Sequence, residues 1–215
     1  KAGDSVTLIT NQTPFYGESG GQMGDAGSIS SLSGFAATVN DTSKPLGRLH
    51  AHQLTVDAGE VKVGDVVQLK IDTARRDALR SNHSATHLLH AALRNRLGGH
   101  VTQKGSMVAA DRLRFDFSQP TALTPEDIAA IEAEVNAEIR ANEPVTTRLM
   151  SPDEAIEAGA MALFGEKYGD TVRVVDIGGP WSRELCAGTH VGSSAEIGMI
   201  SLVSESSVGS TNRRV

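Results

Sequence analysis

Short runs of alternating apolar and polar residues, separated by Gly, Pro, Asn and Asp, occupy roughly the first seventy residues. Alternation of this kind predicts strands with one buried face. Many short strands at such spacing predict a small antiparallel β-barrel. The predicted strands are Val6–Ile9, Gly27–Ser30, Phe35–Val39, Leu49–Thr55 and Val66–Ile71, with Asn40-Asp41 and Val63-Gly64-Asp65 as breaks between them.

Helical patterns begin after a basic segment, Asp72–Ser81. A first helix is predicted from Asn82 to Leu97, with Ser81 as its N-cap and Gly98-Gly99 as its end. Thr124-Pro125 predicts the start of a second helix, because a capping threonine precedes a proline at the first helical position. Its apolar positions follow at helical spacing, Glu143-Pro144 ends it, and Ser151-Pro152 opens a short third helix that Gly159 closes.

The remaining apolar runs predict strands between and after these helices. They are Ser106–Ala110 and Leu113–Phe117, joined as a hairpin at Asp111-Arg112, and Val145–Met150, Val172–Ile177 and Ile200–Ser204. The expected fold is therefore α+β: a barrel-like part with a glycine-rich loop, residues 1–73, then residues 74–215, in which helices pack on an antiparallel sheet.

Composition limits the classes of function. The net charge of −6 over 215 residues argues against broad electrostatic capture of nucleic acid, although a local basic groove is compatible with it. No apolar run has the length of a membrane span, so no membrane partner is expected. A single cysteine excludes an intramolecular disulfide and indicates a reducing compartment, here the cytoplasm. The absence of an initial methionine suggests a piece of a longer protein or, equally, a processed terminus.

Two motifs carry candidate metal chemistry: His83-Ser84-Ala85-Thr86-His87 and Cys186-Ala187-Gly188-Thr189-His190. Residues four apart lie on one face of a helix, so His83 and His87 can reach one ion together. Imidazole and thiolate donors suit Zn²⁺ better than Mg²⁺ or Ca²⁺. The first motif alone is common without a metal, but the only cysteine falls at ligand spacing from the last histidine. The pair predicts zinc.

The chain resembles the editing domain of alanyl-tRNA synthetases and their freestanding trans-editing relatives. The resemblance covers nearly the whole chain in order, and a module of threonyl-tRNA synthetases shares its histidine and cysteine framework. Ala187 departs from the glycine that is frequent in the family, which matters only if that turn needs a positive φ. The matching stretches are Phe15–Gln22, Asn82–Leu89, Val101–Ser106, Arg114–Phe117, Ala162–Tyr168 and Glu184–His190.

The resemblance implies hydrolysis of the ester that joins serine or glycine to the alanine tRNA. It also implies that His83, His87, Cys186 and His190 hold zinc, that the tRNA acceptor end is the partner, and that other domains of a parent synthetase flank the chain. A second hydrolytic site has a physical reason: a pocket built for alanine cannot strongly reject glycine or an added hydroxyl.

Further candidate site residues come partly from the same resemblance and partly from their position or charge in the sequence. Gln103 is the catalytic candidate, because an amide can position water or donate to an oxyanion but cannot act as a general base. Thr86 is the candidate for the serine hydroxyl, with a bond back to a helix carbonyl as the equal alternative. Gly20, Gly21 and Gln22 are expected against the terminal adenosine, and Lys104, Arg112 and Arg114 against tRNA phosphates, although arginines and lysines are usually just solvated.

Two alternative functions stay open. Four protein ligands fill a tetrahedron, which is typical of a structural site, so the chain is alternatively a non-catalytic tRNA-binding module stabilised by zinc. Otherwise the ion becomes five-coordinate, one ligand is weak, or zinc only orients the substrate. The second alternative is editing of the threonyl type. The remaining histidines, His50, His52, His90 and His100, are interpreted as structural or solvated.

Overall fold

A computed structural model describes residues 1–162 and 169–215 of the chain. It divides into two compact units, Lys1–Leu79 and Arg80–Val215. The predicted division after residue 73 stays a prediction. Of the motif at 162–168, residues 163–168 lie outside the described part.

The first unit is an antiparallel sheet with its own apolar core. Phe15, Ile29, Phe35 and Leu54 are nearly inaccessible in that core, because alternate positions along each strand point to one face. The strand order β1-β4-β3-β2-β5 is that of an open sheet, and its closure into a barrel stays a prediction. The strands are β1 (Ser5–Leu8), β2 (Gly27–Ser30), β3 (Ala36–Ser43), β4 (Ala51–Ala58) and β5 (Gln68–Ile71).

Strand β3 continues through Asn40-Asp41, where a break was predicted; that prediction was wrong. A register shift against β4 lies between Val39 and Asp41. Such a bulge accommodates an extra residue without ending the strand. Asn40 donates its side-chain amide to Thr55 across the pair, at 2.9 Å.

The first helix, α1 (Thr73–Leu97), begins nine residues before the predicted start at Asn82, so Ser81 is not its N-cap. Asp72 is the capping residue: its Oδ1 accepts from Arg75 N at 3.0 Å and its carbonyl from Arg76 N at 2.9 Å. Basic residues are unfavourable in a first helical turn, which is why the sequence pattern concealed this start. The Arg76 guanidinium is neutralised by the buried Asp25 carboxylate of the same unit.

Two antiparallel sheets form the second unit, as far as the described residues go. One is ordered β11-β12-β7-β6, from β6 (Gln103–Val108), β7 (Leu113–Ser118), β11 (Ser206–Ser207) and β12 (Asn212–Arg214). The other is ordered β10-β9-β8, from β8 (Val145–Met150), β9 (Val172–Ile177) and β10 (Ser182–Leu185). The predicted β6–β7 hairpin is confirmed: Val108 pairs with Leu113, and Ala109 N donates to Arg112 O.

Helices α2 (Pro125–Arg140) and α3 (Pro152–Glu157) begin where Thr124-Pro125 and Ser151-Pro152 predict. Both carry a reciprocal capping box. The apolar face of α2 packs with α1 and both sheets in one core whose buried members include Leu88, Phe115, Val135 and Val175. The α+β class is confirmed.

The segment predicted as strand Ile200–Ser204 is not a strand. Side chains of α2 satisfy its backbone groups instead. Asn136 accepts from Ile200 N and donates to Ile200 O, both at 3.0 Å, and Glu132 accepts from Leu202 N at 2.7 Å. The apolar run packs on the core through these contacts, so it needs no sheet partner.

None of the helices in the described part combines the length and the apolar character needed to cross a membrane.

Candidate metal centre

Helix α1 presents His83 and His87 on one face, four residues apart, and both side chains are buried. The helix is held in place by Leu88, Leu89 and Leu93, which are fully buried in the core. The two imidazole rings therefore sit at fixed positions, with centroids 5.2 Å apart.

The second pair of donors, Cys186 and His190, lies in the loop that follows β10. Arg173 holds this loop: its guanidinium donates to the carbonyls of Cys186 and Gly188, at 3.1 and 2.7 Å. Arg80 on α1 donates to the carbonyl of His190 at 2.6 Å. Ala187 does not adopt a positive φ, so its replacement of the frequent glycine leaves the turn unstrained.

The four residues converge. One donor atom from each of His83, His87, Cys186 and His190 lies within 4.8 Å of the others. The Sγ of Cys186 is 3.5 Å from Nε2 of His83 and 3.3 Å from Nε2 of His190. The sequence pattern predicted this set, and the fold brings all four together within the second unit.

Charge in the cluster favours a thiolate. Burial opposes ionisation of Cys186, but the positive charge of His87 and hydrogen bonds from the histidines outweigh it, so the pKa of the thiol lies well below its usual value. Gly188 N also donates to Sγ, at 3.4 Å. Burial lowers the pKa of His190 to about 3, so its ring is neutral. Despite its burial, His87 has its pKa raised to about 9 by Glu184 and Cys186, so it would release a proton when a metal binds, since thiolate and neutral imidazole are the metal-binding forms.

The donor set fits a zinc ion. Three imidazoles and one thiolate correspond to the ligand types of tetrahedral zinc sites. Nδ1 of His87 is buried 4.0 Å from Glu184 Oε2, with no hydrogen-bond partner among the described residues, and the ring meets Cys186 through its other nitrogen. The buried negative sulfur beside the three rings is a charge that a cation would compensate.

Glu184 and His90 adjoin the cluster, and sequence reasoning did not assign a role to either. Oε1 of Glu184 forms a hydrogen bond with Nδ1 of His90 at 2.9 Å, and Oε2 is 4.0 Å from Nδ1 of His87. Burial raises the pKa of Glu184, but His87 and His90 lower it further, so the group is a carboxylate. The signal was present: Glu184 precedes Cys186 by two positions, and His90 lies one turn after His87 on the same helix.

Two family models match parts of the chain. The model described as "tRNA synthetases class II (A)" matches residues 1–75. The model described as "Threonyl and Alanyl tRNA synthetase second additional domain" matches residues 172–215, which contain Cys186 and His190.

Alanine–tRNA ligases match the entire chain. The ligase of Sphingopyxis alaskensis is 67% identical over 219 residues, that of Rhizorhabdus wittichii 65% over 223, and that of Granulibacter bethesdensis 54% over 221. Each match covers 100% of this chain. The chain belongs to the alanyl-tRNA synthetase family. It spans 25% of the length of these relatives.

Within this member of the alanyl-tRNA synthetase family, Thr86 makes the alternative contact that was weighed against substrate recognition. Its buried hydroxyl donates to the carbonyl of Asn82, one helical turn earlier, at 2.8 Å. The proton is used, but the oxygen keeps lone pairs that can accept from a donor. Recognition of a serine hydroxyl by Thr86 stays a prediction, now restricted to Thr86 as acceptor.

Gln103 opens β6 and lines a cavity of about 120 Å³ with His90, Arg94 and Glu184. Lys104, the next residue, is exposed, and it lies where the pairing of β6 with β7 shifts register between Gln103 and Gly105. Gln103 is thus placed beside the carboxylate that adjoins the metal cluster, and Lys104 points its charge to solvent. Their catalytic and phosphate-binding roles stay predictions.

Gly20, Gly21 and Gln22 lie in the first unit. Ser19 and Gln22 exchange backbone hydrogen bonds around the two glycines, whose φ values are 59° and 87°. A two-residue turn with both φ positive requires such residues, so the turn accounts for the glycines without a ligand. Gln22 is fully buried. Contact of this loop with the terminal adenosine stays a prediction.

His52 and His100 have ordinary hydrogen-bond partners. His52 is buried between Thr13 Oγ1 (2.8 Å) and Leu8 O (2.9 Å), and burial lowers its pKa. His100 is exposed, with Nε2 2.6 Å from Gln119 Oε1. Both fit the structural interpretation.

Proposed function

We propose that this chain is the editing domain of an alanyl-tRNA synthetase and hydrolyses the ester bond of seryl- and glycyl-tRNA(Ala) with a zinc ion. The observation that carries the proposal is the convergence of His83, His87, Cys186 and His190 within 4.8 Å in a chain 67% identical to an alanine–tRNA ligase. We place it in the cytoplasm, with the tRNA acceptor end and other domains of the parent synthetase as partners.

The residues of the chain supply binding and orientation. His83, His87, Cys186 and His190 would hold zinc, which when bound supplies Lewis-acid stabilisation of charge on the ester carbonyl oxygen. Hydrolysis adds a hydroxyl to the acyl carbon and returns a proton to the ribose oxygen of the tRNA. Gln103, neutral and at the cavity beside Glu184, positions the attacking water or donates to the oxyanion.

Selectivity is assigned to Thr86. Its oxygen accepts a hydrogen bond from the hydroxyl of a bound serine, while its own hydroxyl continues to donate to Asn82 O. Glycine carries no such hydroxyl and enters because it is small.

The experiment is deacylation of alanine tRNA charged with serine, glycine or alanine, with and without a zinc chelator. We expect hydrolysis of the serine and glycine esters, sparing of the alanine ester, loss of activity with chelator and recovery on adding zinc. His83→Ala abolishes activity, whereas the control His100→Ala, at an exposed position outside the cluster, retains it.

The four-ligand count favours a second candidate, a non-catalytic tRNA-binding module. Zinc-loaded protein that binds tRNA but hydrolyses none of the three esters would establish that function and refute the first. Preference for seryl-tRNA(Thr) over seryl-tRNA(Ala) would indicate threonyl-type editing.

A further inference from the structure

Ser84 lies on α1 between the two histidine ligands, and its side chain is fully buried. Its Oγ is 3.0 Å from Nδ1 of His190, a residue 106 positions away. The backbone N–H of Val191 donates to the same oxygen at 3.2 Å. Ser84 thus joins the helix that carries two of the ligands to the loop that carries the other two.

The two ring nitrogens of His190 face different groups. Nδ1 faces Ser84, and Nε2 is 3.3 Å from the Sγ of Cys186, inside the cluster. A neutral imidazole that binds a metal through Nε2 carries its proton on Nδ1. That proton needs an acceptor in a buried site, and Ser84 Oγ is placed to accept it.

We propose that Ser84 is a positioning residue: its hydroxyl sets the tautomer and ring orientation of His190, so that Nε2 is the atom offered to zinc. The proposal rests on the zinc site of the proposed function but not on ester hydrolysis. A group that hydrogen-bonds to the second nitrogen of a metal-binding imidazole fixes the tautomer of the ring and raises the affinity for the metal.

Two residues one turn apart on α1 hold His190. Arg80 holds its backbone carbonyl at 2.6 Å, and Ser84 holds its ring. Loss of the Ser84 hydroxyl removes the ring contact and also the acceptor of Val191 N. Arg80 and Arg173 still hold the carbonyls of the loop, so the ring should lose more of its restraint than the loop does.

The first test is zinc affinity of Ser84→Ala, measured by competition with a chromophoric chelator. Alanine favours the helix, and a thermal melt followed by circular dichroism verifies that the variant is folded. We expect the zinc dissociation constant to rise roughly 10- to 100-fold. The matched control is Ser81→Ala on the same helix: Ser81 lies near Glu196 O at 3.5 Å and contacts no ligand. It should bind zinc as the parent does.

The second test is a long-range ¹H–¹⁵N correlation spectrum of the zinc-loaded parent protein, which reads the tautomer of His190 directly. We expect the proton on Nδ1. A proton on Nε2, an affinity of Ser84→Ala within about twofold of the parent, or an equal loss in Ser81→Ala would each overturn the proposal.

The two proposals fail separately. If the esters are not hydrolysed but His190 has its proton on Nδ1 and Ser84→Ala weakens zinc, the Ser84 role stands without the hydrolase. If hydrolysis depends on zinc and Ser84→Ala binds zinc as tightly as the parent, the hydrolase stands without Ser84.

Discussion

At the scale of single residues, Cys186 owes its chemistry to its neighbours. Three histidines and the Gly188 N–H surround its sulfur, and Arg173 holds the loop backbone through the carbonyls of Cys186 and Gly188. A lone buried cysteine is a small apolar side chain, whereas here the adjacent charges stabilise its ionised form. An ionised sulfur among imidazoles is a donor set that suits zinc.

The purified chain should carry close to one zinc ion per molecule, and Cys186→Ala should lower zinc affinity sharply, because it removes both a ligand and its charge. Isothermal titration or chelator competition measures the loss. A His83→Ala, Cys186→Ala double variant that kept full zinc occupancy would exclude this zinc site.

Thr86→Val should slow hydrolysis of seryl-tRNA(Ala) much more than that of glycyl-tRNA(Ala). The change leaves the serine hydroxyl without its acceptor, at a cost of about 1–3 kcal/mol, or roughly tenfold to a hundredfold in rate. Single-turnover deacylation, after zinc content has been verified, measures both substrates. Equal slowing of the two would remove Thr86 from selectivity.

Gln103→Ala should slow hydrolysis of both esters to a similar degree, because a water or oxyanion contact is common to every substrate. The same single-turnover assay applies. Unchanged rates for both esters would exclude Gln103 from the chemistry.

At the scale of elements, the sequence predicted the start of a helix correctly where a capping residue precedes a helical pattern of apolar residues. Thr124-Pro125 and Ser151-Pro152 start helices as predicted, because their side chains satisfy the free N–H groups of the first turn. The start of α1 escaped prediction because its basic first turn is stabilised from outside the helix: Arg75 donates to Gly24 O and Arg76 pairs with Asp25.

Thr124→Ala should destabilise the protein by about 1 kcal/mol, since it removes the side-chain acceptor of Asp127 N. Thr124→Ser keeps the capping oxygen, so it should lower the stability by only a few tenths of a kcal/mol. Urea unfolding followed by circular dichroism measures both. If the alanine and serine variants lose the same stability, the capping bond does not contribute.

At the scale of the whole molecule, ties between distant residues complete the second unit. The backbone of Val215 exchanges hydrogen bonds with Phe115, and Arg214 donates to Asp116 from two guanidinium nitrogens, Nε and Nη2, at 2.6 and 2.7 Å. The C-terminal strand β12 is short, and nothing in its own pattern predicts a strand. Its pairing with β7 makes it part of the sheet.

Hydrogen bonding from Arg214 lowers the pKa of Asp116 below its usual 3.8. A lowered carboxyl pKa adds stability that is fully present above about pH 4 and is lost as the pH falls through the lowered value. Asp116→Asn should therefore cost about 1–3 kcal/mol near neutral pH, and the difference from the parent should shrink below about pH 4.

Urea unfolding at several pH values measures this difference. The control is Asp111→Asn, whose carboxylate is 70% exposed beside Arg112 and should contribute little. A gap between parent and Asp116→Asn that stays constant down to about pH 2 would contradict the assignment.

The sequence by itself determined the approximate places of the strands of the first unit, except the continuation of β3 past Val39, together with the caps of α2 and α3 and the two spaced donor pairs. These features depend on periodicity and on residues within a few positions of one another, which the linear pattern contains. The family resemblance likewise rests on contiguous motifs.

Only the tertiary structure decided how the donors meet. His83 and Cys186 are 103 residues apart, and Ser84 and His190 are 106 apart, so no local pattern links them. The pairing of Arg76 with Asp25 permits α1 to begin before the predicted start at Asn82. Asn136 and Glu132 bind backbone groups of residues 200–204, which therefore need no strand partner. In each case a partner distant in sequence satisfies a charge or a backbone group, and that partner exists only once the chain has folded.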